Sequence, residues 1–338
     1  MDTTKEQHPP LNNKTRFQKA WKIFKILLAI LLISVVLSKT NWTQLKALRT
    51  EIVWVWLIAY VLLYSIMTLV KALQYKILIG RNIKYKEVLR IVIWQNAISN
   101  FLATSAGIAS FMAMLKTEKD IKITQSGATF ILTKFGDLLV LSFYLAISAS
   151  IVWQQIEALR FFTILLLGAL LIALGIFLCA IFWRKRFVSL LRSVLVRLKL
   201  TRFSLVTRSL AGVETLISIP QRTLFKLLGL SISTAFLYMT VTMGSVLTSL
   251  RMFDVQLSLF PVIYVASLMQ LVSFVPVQIL GGLGVTEVTS VYLFQFFGLE
   301  QSRLFAVMLG NRVIYYLINL VIFLYIPLCS VFEKKRDA

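Results

Sequence analysis

Three charge-free, predominantly apolar blocks constrain this chain more than any other feature: Tyr60 to Val70, Phe161 to Trp183 and Tyr315 to Val331. Each extends toward the roughly 20 residues that an α-helix needs to cross a hydrocarbon core. A soluble core helix would carry polar residues at helical period, and these blocks do not. With 58% of residues hydrophobic and 15% charged, the chain lies outside the range of soluble domains. The first apolar run begins near Ile26, behind a polar tail and with no small-residue cleavage site after it, so a retained span is expected rather than a signal peptide.

The charge between the blocks orients them. Residues 1–25 carry six Lys/Arg against Asp2 and Glu6, residues 71–90 six against Glu87, and residues 184–222 nine against Glu214. The positive-inside rule places all three stretches in the cytoplasm. Residues 154–160, 249–257 and 298–303 sum to zero and read as external. The formal net charge of +22 therefore reports topology and anionic headgroups; no nucleic-acid partner is implied.

Six spans are expected, at about 22–38, 53–70, 127–153, 161–183, 225–248 and 304–330. Their parity holds only if 91–115 enters from the cytoplasm and returns. Ile91 to Leu115 contains Gln95, Asn96, Ser99, Asn100, Thr104, Ser105, Gly107 and Ser110, too polar for a lipid-facing span but suited to two half-helices. A second break follows at Pro276 to Glu287, where Pro276 removes a helix donor and Gly281, Gly282 and Gly284 interrupt the helix. Residues 257–299 form either two full helices or a deep hairpin. The fold class is thus an all-α polytopic membrane protein, with six full spans and two broken or re-entrant segments. Two such segments of opposite orientation point to an inverted-repeat transporter. The chain divides into a basic tail 1–21, one transmembrane domain 22–330 with an amphipathic cytoplasmic connector at 187–217, and a tail 331–338, both tails cytoplasmic.

Ionisable groups at bilayer depth are costly and need a reason. Lys134 and Asp137, three apart, share a helix face; they form an internal ion pair, or Lys134 also meets a phosphate. Glu287 either caps the half-helix after the glycine turn or pairs with Arg312. Arg312 either snorkels outward, pairs with Glu287 or holds a lipid phosphate bidentately. Asn96 and Asn100 face a polar cavity or bond neighbouring helices. One histidine and two cysteines, Cys179 and Cys329, leave a metal or haem cofactor almost no ligands. No zinc-protease, nucleophile-elbow or phosphate-loop motif occurs, so no enzyme activity and no cofactor are expected.

The run Pro276-Val-Gln-Ile-Leu-Gly-Gly-Leu-Gly-Val-Thr-Glu287 resembles the Pro…Gly-Gly-x-Gly-x-x-Glu signature of the lysylphosphatidylglycerol synthase transmembrane-region family. Asn100 to Leu139 is similar to that family's other half, with Gly107 at its small-residue turn and Lys134 and Asp137 where Arg and Asp are common; Arg312 falls where the last helix often carries arginine. The resemblance spans roughly residues 20–330, and a chain of 338 residues leaves no room for a soluble aminoacyl-transferase domain. It implies the membrane half alone: a flippase-like translocase of an anionic phospholipid or polyprenyl-phosphate-linked lipid in a bacterial cytoplasmic membrane. The substrate-binding set would be Lys134, Asp137, Glu287, Arg312, Asn96, Asn100, Gly107, Gly281, Gly282 and Gly284. The alternative is a non-catalytic membrane subunit that anchors or regulates a lipid-modifying or glycosyl-transferring enzyme.

Overall fold

A computed structural model describes residues 42–80, 83–197, 218–273 and 282–324, with Ser34, Ser38, Glu214 and Thr215. The described residues form ten α-helices, one 3-10 turn (Glu157–Leu159) and no strand. The helices are α1 Trp42–Glu51, α2 Trp54–Ile79, α3 Tyr85–Phe101, α4 Thr104–Lys119 and α5 Ile123–Ile151. After the turn come α6 Arg160–Arg197, α7 Gln221–Arg251, α8 Leu259–Ser273, α9 Val285–Gln295 and α10 Gln301–Phe323. Five helical stretches are long and apolar enough to cross a bilayer: α2, α5, α7, α10 and Glu157–Arg184. They match five of the six expected spans; the sixth, about 22–38, lies outside the described residues, as do both tails.

What coats these helices is apolar. On α6, Phe161 is 79% exposed, Leu171 64% and Trp183 65%. In water such a surface would aggregate; against acyl chains it is the matched solvent. The interior carries the polar side chains instead, Gln74, Thr133, Asp137, Glu287 and Arg312 among them.

Two pairs of helices are too short to cross a hydrocarbon core of about 30 Å at about 1.5 Å per residue. One pair is α3 with α4, of 17 and 16 residues. The other is α8 with α9, of 15 and 11 described residues, which pack on one another; residues 274–281 between them lie outside the described residues. The α3–α4 hairpin turns at Leu102–Ala103, where Ala103 is extended (φ −162°, ψ 145°). Its limbs reach from Tyr85 to Lys119, wider than the 91–115 expected from composition. Gly107 is not at the turn, as the sequence suggested, but one turn into α4. There a Cβ would lie 2.6 Å from the Gln95 carbonyl oxygen on α3, so glycine allows the two limbs to approach. The open ends are clamped by Arg90–Glu118 (2.5 Å) and Lys119–Glu87 (2.7 Å). The hydrogen bond from the Lys119 ammonium holds the Glu87 carboxyl below its usual range.

Packing relates the two halves reciprocally. The helices that precede the hairpins, α2 and α7, pack along one another. The first limb of each hairpin packs on the span that follows the other: α3 on α10, and α8 on α5. Small residues allow close approach where the halves meet. A Cβ at Gly136 of α5 would lie 3.0 Å from the Ser231 carbonyl oxygen of α7, and the Ser231 hydroxyl donates to the Leu132 carbonyl at 2.9 Å. Helix α6 kinks at Arg184 (φ 35°), whose guanidinium donates to the Ile219 carbonyl at 3.0 Å. The expected amphipathic connector is helical as far as Arg197; residues 198–213 lie outside the described residues.

The packing at Gly107 makes one expectation specific. Gly107→Val should destabilise the purified protein by about 1–3 kcal/mol through overpacking, whereas Gly168→Ala, which meets nothing within 4 Å, should not. Thermal unfolding in detergent separates them; equal melting temperatures would remove the close approach as a constraint.

Candidate functional site

Between the two hairpins lies a polar cavity of about 420 Å³, walled by α2, α3, α4, α5, α7, α8, α9 and α10. Helix α2 supplies one face through Tyr64, Thr68, Lys71 and Tyr75, spaced four, three and four residues apart and so aligned on one side of the helix. Tyr60, Tyr238 and Tyr315 add further aromatic wall.

At one end a buried carboxylate serves two lysines. Asp137 of α5, its side chain 3% exposed, accepts from the Lys71 ammonium at 2.8 Å and 3.1 Å. Lys71 also donates to Gln74 Oε1 at 2.8 Å and stands 4.5 Å above the Tyr238 ring. Lys134, one turn before Asp137, keeps its Nζ 3.8 Å from the same carboxylate. Both lysines line the cavity, and Asp137 sits behind them. The internal Lys134–Asp137 pair exists, but it is the looser of two.

Lys71 is the residue of the candidate site that charge counting missed. The apolar block ends visibly at Val70, which makes Lys71 look like the first residue of a basic loop. Helix α2 in fact continues to Ile79, so the loop begins only at Gly80 and Lys71 is a buried group. The helical spacing from Tyr64 to Tyr75 held the signal, since it places Lys71 on the polar face.

At the other end Glu287 and Arg312 form a closed pair. Arg312 Nε donates to Glu287 Oε1 at 2.6 Å, with side chains 8% and 4% exposed. Arg312 Nη2 also bonds the Thr286 hydroxyl, and its guanidinium lies 5.5 Å from the Tyr315 and Tyr316 rings. Glu287 Oε2 accepts the Gly284 N–H at 2.6 Å, which satisfies a donor at the start of α9. Glu287 is therefore both cap and partner, and Arg312 does not snorkel. Gly282 (φ 83°) and Gly284 (φ 86°) hold left-handed backbone that a side chain would strain. Gly281 and the residues from 274 onward to it lie outside the described residues.

Between the ends, Asn100 Nδ2 donates to Asn319 Oδ1 at 2.6 Å, and the Tyr64 hydroxyl donates to the same oxygen at 2.7 Å. Asn100 thus both lines the cavity and ties α3 to α10; Asn96 lines it one turn earlier. Of the expected residues, Lys134, Glu287, Arg312, Asn96 and Asn100 share this wall. Gly107, Gly282 and Gly284 shape the backbone around it. Among the described residues of the two charged clusters, Lys71, Lys134 and Arg312 face Asp137 and Glu287, a formal balance of one positive charge.

Residues 22–322 match the family described as Lysylphosphatidylglycerol synthase TM region. No curated protein matches the chain, and no solved structure does.

The closed pair yields a stability expectation. Glu287→Gln leaves the guanidinium buried without its counter-ion and should cost about 3–5 kcal/mol, while the Glu287→Gln, Arg312→Gln double variant should recover much of that. A double-mutant cycle on thermal unfolding checks it; additive losses would mean the pair is not coupled.

Proposed function

We propose a function from one premise: the chain belongs to the lysylphosphatidylglycerol synthase transmembrane-region family. On this reading it is a translocase that moves an anionic phospholipid or a polyprenyl-phosphate-linked lipid between leaflets, without covalent chemistry. It acts in a bacterial cytoplasmic membrane, with both termini in the cytoplasm. Both hairpins are re-entrant: α3–α4 opens to the cytoplasm, where its clamped ends lie, and α8–α9 opens to the outside.

The observation that carries this reading is the cavity. A phosphate drawn through hydrocarbon meets a cost that a wet, cationic path removes. The cavity supplies Lys71 and Lys134 at one end, Arg312 at the other, and hydroxyl and amide groups between. Its volume is that of a small-molecule pocket, enough for a headgroup and too small for acyl chains. The chains therefore remain in the bilayer while the headgroup crosses. The reciprocal packing of the two pairs of short helices on the spans of the other half supports this reading, since alternating access about a central site needs two equivalent sets of elements.

In proteoliposomes the full chain should accelerate leaflet transfer of fluorescent phosphatidylglycerol, and Lys134→Gln should lower that rate by about tenfold, the worth of one charge-assisted hydrogen bond. No transfer of any anionic lipid would sink the translocase reading. Topology is tested separately, in a Cys179→Ser, Cys329→Ser background. A cysteine at Ser105, near the hairpin tip, should label only from the cytoplasmic face of sealed vesicles. Labelling of its flanks from opposite faces would make 91–115 an ordinary span.

A further inference from the structure

At the lysine end of the cavity a buried carboxylate already holds the ammonium that a substrate phosphate would engage. The Lys71 ammonium spends its donors on Asp137 Oδ2 (2.8 Å), Asp137 Oδ1 (3.1 Å) and Gln74 Oε1 (2.8 Å). A phosphate can bond Lys71 only by taking over a donor that Asp137 or Gln74 now holds, and of these two Asp137 is the anion it exchanges for. Asp137 is nearly wholly buried behind the lysines, whereas Lys134 is 35% exposed at the cavity edge and 3.8 Å from the same oxygen. The two lysines and one carboxylate leave a formal charge of plus one, which one phosphodiester balances. Arg312 is matched by Glu287 and adds no second net charge.

We propose, resting on the translocase reading, that Lys71, Lys134 and Asp137 form an ion-exchange subsite, in which the phosphate of a monoanionic phosphodiester displaces Asp137 from Lys71 and Asp137 later expels it. The carboxylate is a resident competitor: it weakens the bound state and so speeds release, which translocation needs more than tight binding does. Without it, two ammonium groups at membrane depth would hold a phosphate too firmly to let it go. No proton or covalent bond need change hands; one anion replaces another on the same ammonium.

The cavity wall outside this subsite selects the rest of the headgroup. It carries neutral hydrogen-bonding groups, Tyr75, Gln95, Asn96 and Gln270 among them, and Asn311 Oδ1 is a buried acceptor with no hydrogen-bond partner among the described residues. Such groups call for hydrogen-bonding groups on the ligand. A neutral, hydroxyl-bearing group on the phosphodiester meets that demand. A second phosphate adds charge that the site does not balance. An ammonium-bearing headgroup is zwitterionic and brings its cation among lysines already committed to an anion. Phosphatidylglycerol and a polyprenyl-phosphate hexose both carry the fitting chemistry.

The experiment is equilibrium binding of fluorescent lipids to the full chain in detergent, paired with leaflet transfer in proteoliposomes. Wild-type protein should bind phosphatidylglycerol or polyprenyl-phosphate hexose about tenfold more tightly than phosphatidylethanolamine or a polyprenyl diphosphate; whichever of the first two binds better identifies the source of the phosphodiester. Asp137→Asn should bind the preferred lipid about tenfold more tightly while transferring it more slowly, and Lys71→Gln should bind it about tenfold more weakly. A merely structural ion pair predicts the opposite for Asp137→Asn, so weaker binding there overturns the proposal. Should that variant fail to fold, the Lys71→Gln, Asp137→Asn double variant removes the buried pair and keeps the net charge. It should still bind about tenfold more weakly than wild type, and wild-type affinity in it overturns the exchange. Selective binding with these variant effects on binding, but with no transfer of any lipid, supports the subsite and removes the translocase reading. Normal transfer by Lys71→Gln does the reverse.

Discussion

A charged group inside a hydrocarbon layer must find its counter-ion within the protein, and the arrangement of this molecule follows from that requirement. Lys71 and Asp137 join α2 to α5; Glu287 and Arg312 join α9 to α10. Lys71 and Asp137 lie on the two spans that flank the α3–α4 hairpin, and Glu287 and Arg312 on the short helix α9 and the span that follows it. Both pairs border a single cavity, so the cost of burying four charges is offset by contacts that also shape the site. Burial of such pairs is weak evidence for stability in itself. Their placement around one polar space, with tyrosine rings stacked on the cations, is better explained by what that space admits.

Packing supplies the second condition. Helices in lipid gain little from excluding apolar surface, because acyl chains solvate it as well as leucine does. Close approach and interhelical hydrogen bonds do the work instead. Gly107 against the Gln95 carbonyl closes the α3–α4 hairpin, and Gly136 against Ser231 closes α5 on α7. Asn100, Tyr64 and Asn319 cross-link three elements at cavity depth. The limbs of both pairs of short helices pack against other helices, the condition under which interrupted spans are tolerated at membrane depth.

Several site residues are legible in the amino-acid sequence. Glu287 and Arg312 stand out as charges inside apolar runs, and their pairing is among the arrangements that those residue types allow. Lys134 and Asp137 are visible as a helical pair for the same reason. Lys71 is not, because a lysine at the end of an apolar block resembles a topological marker, and only the continuation of α2 to Ile79 turns it inward. Gly107 is conspicuous, but its role is not: a glycine in a polar stretch suggests a turn, whereas here it serves the contact between limbs. The turn itself falls at Leu102–Ala103, where no glycine or proline marks it.

From the sequence alone follow the helical class, the spans among the described residues, the interrupted segments and the presence of charges that need partners. These depend on local hydropathy and on backbone chemistry, which act along the chain. The tertiary structure decided which partner each charge takes, that α8 packs on α9, and that both pairs of short helices border one cavity. Those outcomes depend on contacts between residues far apart in sequence, such as Lys71 with Asp137 and Asn100 with Asn319. Hydropathy assigns a residue to the membrane, but it carries no information about the neighbour that satisfies it there.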